Sequence, residues 1–479
     1  MNILETEKTP LDIFCEASEI LNEAVAHTLG PNGTNTAIQN KNGHYEIIND
    51  GKSIIETITS LDPAIAPALE TLKQASFETN KKAGDGTTST TILMNSLLHG
   101  ARKYLNTIHE GLSVQIDLFD LIDSKSNYYK ITPVDLRNTL LKIKDALLLK
   151  LDENRIEITE EDYEKVATVA LGDDKYSKII ADTYKFLGKG RRPTLIKSDT
   201  SNIEVEKIDG ISLTKTSMVS NLFNNTTEHH DIDVICLFSP VNRFQEMTQF
   251  LRKVQQSGRE TILFYNQLSS DILENILFNY TNGAIKLIPI SLQGYGKGTY
   301  SVMTELADYC ECSIIDNNEF KISDVNKITL GKIDYSVINS DQVILKKNSK
   351  KLEKNYLHLD EKSIIIHIGG TNILEREEVY RRIEDAINSL GNAIDYGIVP
   401  GAGVTYSNLL NLVLNDENIN IEIPDFVKTS MNLIRKTINA SDTSNIYDSA
   451  MVTKEVIENA FTIVSQVITT HVVIHDNIR

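Results

Sequence analysis

The 479-residue sequence has no uninterrupted apolar stretch of about 20 residues, the length a membrane-crossing helix requires. Nor does it begin with a basic segment followed by an apolar core and a small-residue cleavage site, so a soluble, cytoplasmic chain with no membrane partner is expected. Cysteine is scarce. Cys15, Cys236, Cys310 and Cys312 are too few and too unevenly spaced for a disulfide framework. Cys310-Glu311-Cys312 reads as a strand with both sulfurs on one face, but its spacing and the lack of a second pair argue against structural zinc, leaving ordinary packing or surface thiols. A basic excess is also missing. With 66 acidic against 48 basic residues the formal charge is -18, which argues against a broad nucleic-acid surface and leaves a local one as a minor alternative.

No Gly-Lys-Ser/Thr follows a glycine at Walker spacing, so phosphate-loop chemistry of that kind is absent. A different glycine-rich segment is present, Lys82-Ala-Gly-Asp-Gly-Thr-Thr-Ser-Thr90. Gly84 and Gly86 allow a tight turn, and the hydroxyl residues Thr87, Thr88 and Ser89 begin a helix whose unpaired N–H groups and dipole favour an anion such as phosphate. Asp85 between the glycines can bind the cation that accompanies a polyphosphate. Taken alone, the segment fits a magnesium nucleotide site or a capped helix after a glycine turn equally well.

Three other segments add to it. Thr28-Leu29-Gly30-Pro31-Asn32-Gly33 ends an amphipathic helix and turns the chain, and Asn49-Asp50-Gly51-Lys52-Ser53 places a second acid on a tight turn. Gly397-Ile-Val-Pro-Gly-Ala-Gly403 is a close-backbone segment preceded by Asp385 in an apolar-periodic helix. Four such elements can surround one nucleotide.

In order and spacing these motifs, together with Glu384-Asp385-Ala386, resemble those of the group I chaperonins, ring-forming ATP-dependent folding machines, and related patterning covers nearly the whole chain. The resemblance implies ATP and Mg2+ as cofactors, with K+ as a further candidate. It implies nucleotide contacts from Thr28, Leu29, Gly30 and Pro31, from Gly84, Asp85, Gly86, Thr87, Thr88 and Ser89, and from Ala402 and Gly403. Asp85 would be the magnesium ligand, Ile446 an apolar contact to the base and Asp448 a nucleotide-contact acid. Asp50 and Asp385 match the acids that support hydrolysis. The implied partners are non-native protein substrates, a homo-oligomeric heptameric ring and a lid co-chaperonin, in a bacterial or virus-infected bacterial cytoplasm. A bacteriophage origin is one reading of its divergence.

The implied fold is multidomain α/β. A mostly helical equatorial ATP-binding domain comprises 1–153 and 396–479, a small intermediate domain comprises 154–205 and 364–395, and an α/β apical domain, 206–363, is inserted between them. The sequence pattern agrees. Apolar periodicity predicts helices over 11–29, 65–81, 88–99, 175–187, 375–395, 404–414, 426–440 and 453–469. Thr132 and Pro133 read as the N-cap and first residue of a helix through Leu149. Between Gly210 and Gly370, β-rich runs at 233–238, 261–265 and 284–289 alternate with helices near Asn242 and Ser269.

On those two helices Phe244, Met247, Leu251 and Val254, and Ile272, Leu273, Ile276, Leu277 and Tyr280, form apolar stripes. Periodicity alone fits a buried core. The resemblance instead matches Leu251, Leu273, Leu277 and Phe278, with Met218, Leu222 and Phe223, to a groove that captures non-native chains or a lid; Thr248 is a polar departure there.

Other departures are about twenty additional residues over 104–129, a short charged segment over 346–360, a short connection over 439–445 and an end at Arg479 without a Gly-Gly-Met tail. Leu292–Gly298 reads as a hinge, and His229-His230 as a solvated loop. Two other functions remain open: an ATP-binding assembly scaffold without productive folding, and an unrelated metabolic ATPase or small-molecule kinase, for which no acceptor site is evident.

Overall fold

A computed structural model describes residues 2–3, 8–30, 32–39, 45–113, 131–171, 174–214, 217–218, 226–292, 298–317, 319–339, 342–347, 359–439, 446–471 and 474–475. The expectations for Pro31, Leu222, Phe223 and most of 104–129, 293–297, 346–360 and 439–445 lie outside these residues. The chain forms two compact units, 1–185 with 381–479, and 186–380. This partition is coarser than the three domains expected above.

The first unit is helical. Its elements are β1 (Asn2–Ile3), α1 (Pro10–Val25), β2 (Thr36–Gln39), β3 (Tyr45–Ile48), α2 (Gly51–Thr57), α3 (Ile65–Ala83), α4 (Thr87–Ser113), α5 (Pro133–Asn154), α6 (Tyr163–Leu171) and α7 (Asp174–Leu187), whose last residues lie across the boundary. The chain returns through α11 (Ile373–Tyr396), whose first residues lie across the boundary, β14 (Ile398–Pro400), α12 (Val404–Leu414), α13 (Asp425–Ile438), β15 (Tyr447–Ser449), α14 (Ala450–Val467) and β16 (Ile474–His475). α1 and α5 start alike: a threonine, Thr9 or Thr132, makes a reciprocal capping box with an aspartate three residues on, and proline fills the first turn.

In α4, Leu93, Leu97, Ala101 and Leu105 recur every four residues on one buried face. They pack with Leu21, Leu69, Leu72, Ile143 and Phe461 into one apolar cluster. Each fully buried large aliphatic side chain contributes roughly 1.5–3 kcal/mol. That core supports the segments from which the candidate site is built.

The second unit holds β4 (Thr194–Lys197), β5 (Ile203–Thr214), β6 (Ser217–Met218), β7 (Thr227–Leu237), α8 (Phe244–Ser257), β8 (Thr261–Tyr265), α9 (Ser270–Thr281), β9 (Leu287–Ser291), α10 (Thr299–Cys310), β10 (Ile314–Ile315), β11 (Gly331–Ile338), β12 (Gln342–Lys346) and β13 (Asp360–Ile368). They form a mixed sheet in the order β4-β13-β5-β12-β11-β7-β8-β9-β6, with β10 beside the end of β7. The strands β7, β8 and β9 run parallel and are apolar on both faces, as parallel strands must be when both faces are covered. Val234, Cys236, Ile262, Phe264, Ile288 and Ile290 pack with α10. Ile235, Leu237, Leu263, Tyr265 and Leu287 face α8 and α9.

Two sequence expectations are corrected here. His229 and His230 lie in β7 rather than in a loop, and His229 is buried with Nδ1 2.8 Å from Glu260 Oε2. Cys310 ends a helix and Glu311 follows it with φ 60°, so Cys310-Glu311-Cys312 is not a strand. Among the described residues no helix is long and apolar enough to cross a membrane.

Candidate nucleotide site

The Gly84–Gly86 turn joins α3 to α4. Gly84 caps α3 in the left-handed region (φ 69°) and its N–H donates to Asn80 O. A methyl group there would stand 2.3 Å from Asn388 Cβ, so α11 comes up against the bare backbone of the turn. Asn392, one turn further along α11, donates from Nδ2 to the Ala83 carbonyl at 2.7 Å. Gly86 (φ 93°) is packed against Val452 and Val456 of α14.

Below the turn runs a chain of buried hydroxyls. Thr90 Oγ1 donates to Gly86 O and lies 3.0 Å from Thr79 Oγ1, which accepts from Asn459 Nδ2. Asn459 also donates to the buried Glu455, which pairs with Lys82 at 3.1 Å. The first turn of α4 is thereby fixed from beneath, and Thr87 and Thr88 are themselves buried.

Asp50 is the N-cap of α2. One carboxylate oxygen accepts from Lys52 N, and the other accepts from Ser53 N and Ser53 Oγ. These bonds orient the Asp50 carboxylate. Gly51, directly after it, lies against Thr87 and Thr88, so the N-termini of α2 and α4 meet.

The strands β14 and β15 pair antiparallel with Val399 opposite Asp448, and Gly401 N donates to Ile446 O at 2.8 Å. Ala402 (φ 52°) and Gly403 (φ 75°) then turn the chain into α12. Gly401 has no room for a side chain beside Ile446 and Asp448, and Gly403 none beside Arg435. Gly30, φ 88°, similarly abuts the backbone of Ile438 at the end of α13, with Thr28 and Leu29 half-buried before it.

Carboxylates from four separate segments therefore act on one another. Burial raises Asp385 well above the ordinary carboxylate value, and the negative charges of Asp85, Asp50 and Glu384 add to the rise while Lys52 opposes it. Burial first and Asp85 second push Asp448 up to about 7. Asp85 keeps an exposed edge, yet crowding by the surrounding protein raises it too; the Gly86 N–H pulls it back and Asp50 adds to the rise. So many mutually repelling acids form a site short of positive charge. Among the described residues no group of three or more His, Cys, Asp or Glu side chains could hold a metal alone. This donor set fits a magnesium ion that takes one protein carboxylate, Asp85, and draws its other oxygens from phosphates and water.

The sequence-based expectations for Asp50, Asp85, Thr87, Thr88, Ser89 and Asp385 thus fall on adjoining segments, with Gly401–Gly403, Ile446 and Asp448 on the β14–β15 pair. Sequence reasoning missed the Thr79–Thr90–Asn459–Glu455 network, whose only signal is hydroxyls and an amide on helix faces.

In the second unit the apolar stripes divide. Leu251 is 7% exposed and packs with Met247, Phe250, Val254, Ile272 and Ile276, which corrects its expected place on an open groove. Leu273 is partly buried against the same cluster and Leu277 is half-buried, whereas Phe278 is 68% exposed and Phe244 40%. For Met218 the structure describes the backbone, paired with Ile290 in the sheet.

A sequence profile of the TCP-1/cpn60 chaperonin family matches residues 21–114, the stretch that contains Thr28–Gly33, Asp50 and Gly84–Ser89. A chaperonin GroEL of Anaplasma phagocytophilum is 25% identical over 81% of this chain and 74% of its own length. A mitochondrial chaperonin HSP60 of Trypanosoma cruzi is 23% identical over 91% of this chain and 81% of its own. Among solved structures, the chaperonin gp146 from a Pseudomonas aeruginosa bacteriophage, EL, crystallised in the presence of ATP-BeFx, superposes with a TM-score of 0.70 at 16% identity, covering 98% of this chain and 100% of that one.

Proposed function

Because this chain is a divergent member of the group I chaperonin family, we propose that it is an ATP-hydrolysing chaperonin subunit that assembles into a ring, captures non-native protein and couples nucleotide turnover to its release. The observation that carries the reading is the convergence of Asp50, Asp85, Asp385 and Asp448 on the first turn of α4, where Gly51 brings α2 against Thr87 and Thr88.

In this reading the N–H groups at the start of α4 and the hydroxyls of Thr87, Thr88 and Ser89 bind phosphate oxygens, favoured by the helix dipole. Asp85 holds a magnesium ion that offsets the charge of the phosphates. Asp385 orients the attacking water and polarises it. A strong base is unnecessary, because the gain lies in positioning and in fixed charge around the transferred group. Asp50, held by its cap bonds to α2, keeps its carboxylate in a set direction beside that water. Gly30, Gly401–Gly403, Ile446 and Asp448 line the nucleoside side, with K+ as a second candidate cation near the phosphates.

The exposed Phe278 and the half-buried Leu277 support a role for the second unit in contacting apolar segments of non-native chains, since that attraction scales with area and needs no fixed partner geometry. By family likeness the ring is a heptamer that accepts a lid protein, and the three-domain division given above applies. Purified protein imaged as single particles with and without ATP, alongside phosphate release, tests the reading. Rings that change shape with ATP and turn it over are expected. A monomer without ATPase activity would overturn it.

A further inference from the structure

The cysteines of the second unit stand apart from the nucleotide chemistry. In β7, Cys236 faces α10 and is fully buried. α10 ends at Cys310, the left-handed Glu311 reverses the chain, and Cys312 returns beside β7 with its Sγ 3.9 Å from Cys236 Sγ. Cys312 is held there on three sides. Its N–H donates to Ala307 O at 3.0 Å, and the residues just after it pair parallel with β7, Ile314 opposite Cys236. Gly331 of β11 leaves room for it: a methyl group there would stand 3.0 Å from Cys312 Cβ.

The two sulfurs differ in access. Cys312 is partly exposed and lies on the wall of a cavity of about 370 Å3, lined also by Tyr300, Thr304, Asp308, Asp316 and Glu319. Cys236 lies behind it in the apolar layer, and its contact with Cys312, together with burial, holds its thiol well above the ordinary value. It therefore stays protonated, and chemistry begins at the accessible partner. The carboxylates on the wall disfavour anionic reagents such as glutathione disulfide and admit small neutral ones.

We propose that Cys312 and Cys236 are an oxidisable dithiol that hydrogen peroxide entering this cavity converts to a disulfide. In the first step the Cys312 sulfur attacks the peroxide, an S–O bond forms, the O–O bond breaks, and the thiol proton leaves with the departing oxygen as water. In the second, the Cys236 sulfur attacks the Cys312 sulfenic acid. An S–S bond forms, the S–O bond breaks, and the Cys236 proton leaves with the hydroxide as a second water. The two sulfurs together lose two electrons and the peroxide gains them. Bond formation needs the sulfurs to close by about 2 Å, to the usual S–S length of about 2.05 Å. Pairing of Ile314 with Cys236 holds the segment that follows Cys312 against β7. Closure would tie β7 to the segment leaving α10.

The test treats the full chain with hydrogen peroxide in slight excess. The result expected is a mass loss of about 2 Da, two hydrogens, with one intramolecular crosslinked peptide pair containing Cys236 and Cys312, reversed by dithiothreitol. Two of the four thiols remain titratable in denaturant. Cys236→Ser leaves a sulfenic acid at Cys312 that dimedone labels, and Cys310→Ser forms the same crosslink as the parent. Glutathione disulfide at the same concentration reacts at least about tenfold more slowly. A crosslink through Cys15 or Cys310, an intermolecular dimer, or oxidation of Cys312 to sulfinic acid with Cys236 still reduced would each overturn the proposal. Should Cys236→Ser fold poorly, the crosslink map of the parent decides.

Discussion

A methyl group placed on Gly51 would stand 2.3 Å from Thr88 Oγ1 and 2.8 Å from Thr87 Oγ1. The start of α2 is thus in direct backbone contact with the hydroxyls that begin α4, and no side chain fits between them. Gly51→Ala should push Asp50 away from the α4 terminus and weaken ATP binding by at least about tenfold, roughly 1.4 kcal/mol or more, in a protein that stays folded. Gly298→Ala, where an added Cβ meets nothing within 4 Å, should leave binding unchanged. Titration calorimetry on both variants is the check, and parental affinity in Gly51→Ala would remove this contact from the site.

Asp85 sits on the Gly84–Gly86 turn with an exposed edge, and among the described residues no group of three or more possible ligands surrounds it. In Asp85→Ala the difference between ATP affinities measured with and without magnesium should vanish, while the circular dichroism of the apo protein stays parental. A variant that keeps the parental magnesium dependence would move the cation elsewhere.

Asp385 lies half-buried within α11, and burial first, then the charges of Asp85, Asp50 and Glu384, raise its carboxyl well above the ordinary value. Asp385→Ala should bind ATP within a few-fold of the parent and lose about 100-fold or more in turnover at saturating ATP, the scale of removing one oriented electrostatic group. Parental phosphate release at saturation would reject the role.

Much of this arrangement was legible in the sequence, because it depends on local rules. The N-cap at Thr132 with Pro133 after it, the glycine turn before Thr87 and the helix periods around Asp385 and over 404–414 need no tertiary information. The reading failed where two faces look alike. Leu251 shares its helical spacing with Met247 and Val254, and spacing cannot say whether a stripe faces a sheet or solvent. His229-His230 reads as polar loop because its partner, Glu260, is remote in sequence. The pairing of Cys312 with Cys236 was illegible for the same reason: a chain reversal at Glu311 and a parallel strand create it.

Asp448 supplies a pH signature. Its folded-state value of about 7 lies above the unfolded value of about 3.9, so the folded protein holds this proton more tightly than the unfolded chain does. Its favourable contribution is fully present below about pH 4 and is lost as pH rises through about 7. Asp385, also raised, acts in the same direction. The thermal midpoint of nucleotide-free protein should therefore contain a component that falls between about pH 4 and pH 7. Asp448→Asn should reduce that fall and be the more stable protein at the alkaline end. Differential scanning calorimetry across this range decides, and an unchanged pH slope in the variant would show that Asp448 titrates normally.

The proposed capture of non-native protein would use the outer part of α9, where Phe278 is 68% exposed and Leu277 half-buried, while Leu251 on α8 is 7% exposed. The double change Leu277→Ser with Phe278→Ser removes apolar area that a client could cover. Burying one such side chain contributes about 1.5–3 kcal/mol, so affinity for a permanently unfolded fluorescent protein should fall by at least about tenfold. Hydrogen-exchange protection in β7, β8 and β9 should stay parental, because neither residue belongs to the cluster packed on that sheet. Leu251→Ala should behave in the opposite way. It should leave a cavity against Phe250 and Ile272 and cost about 2–5 kcal/mol of stability. Its effect on capture should track the loss of protection. Measured together, the two variants separate surface from core: equal client binding in the folded double variant would take capture away from α9, and full protection in Leu251→Ala would put Leu251 back on an open face.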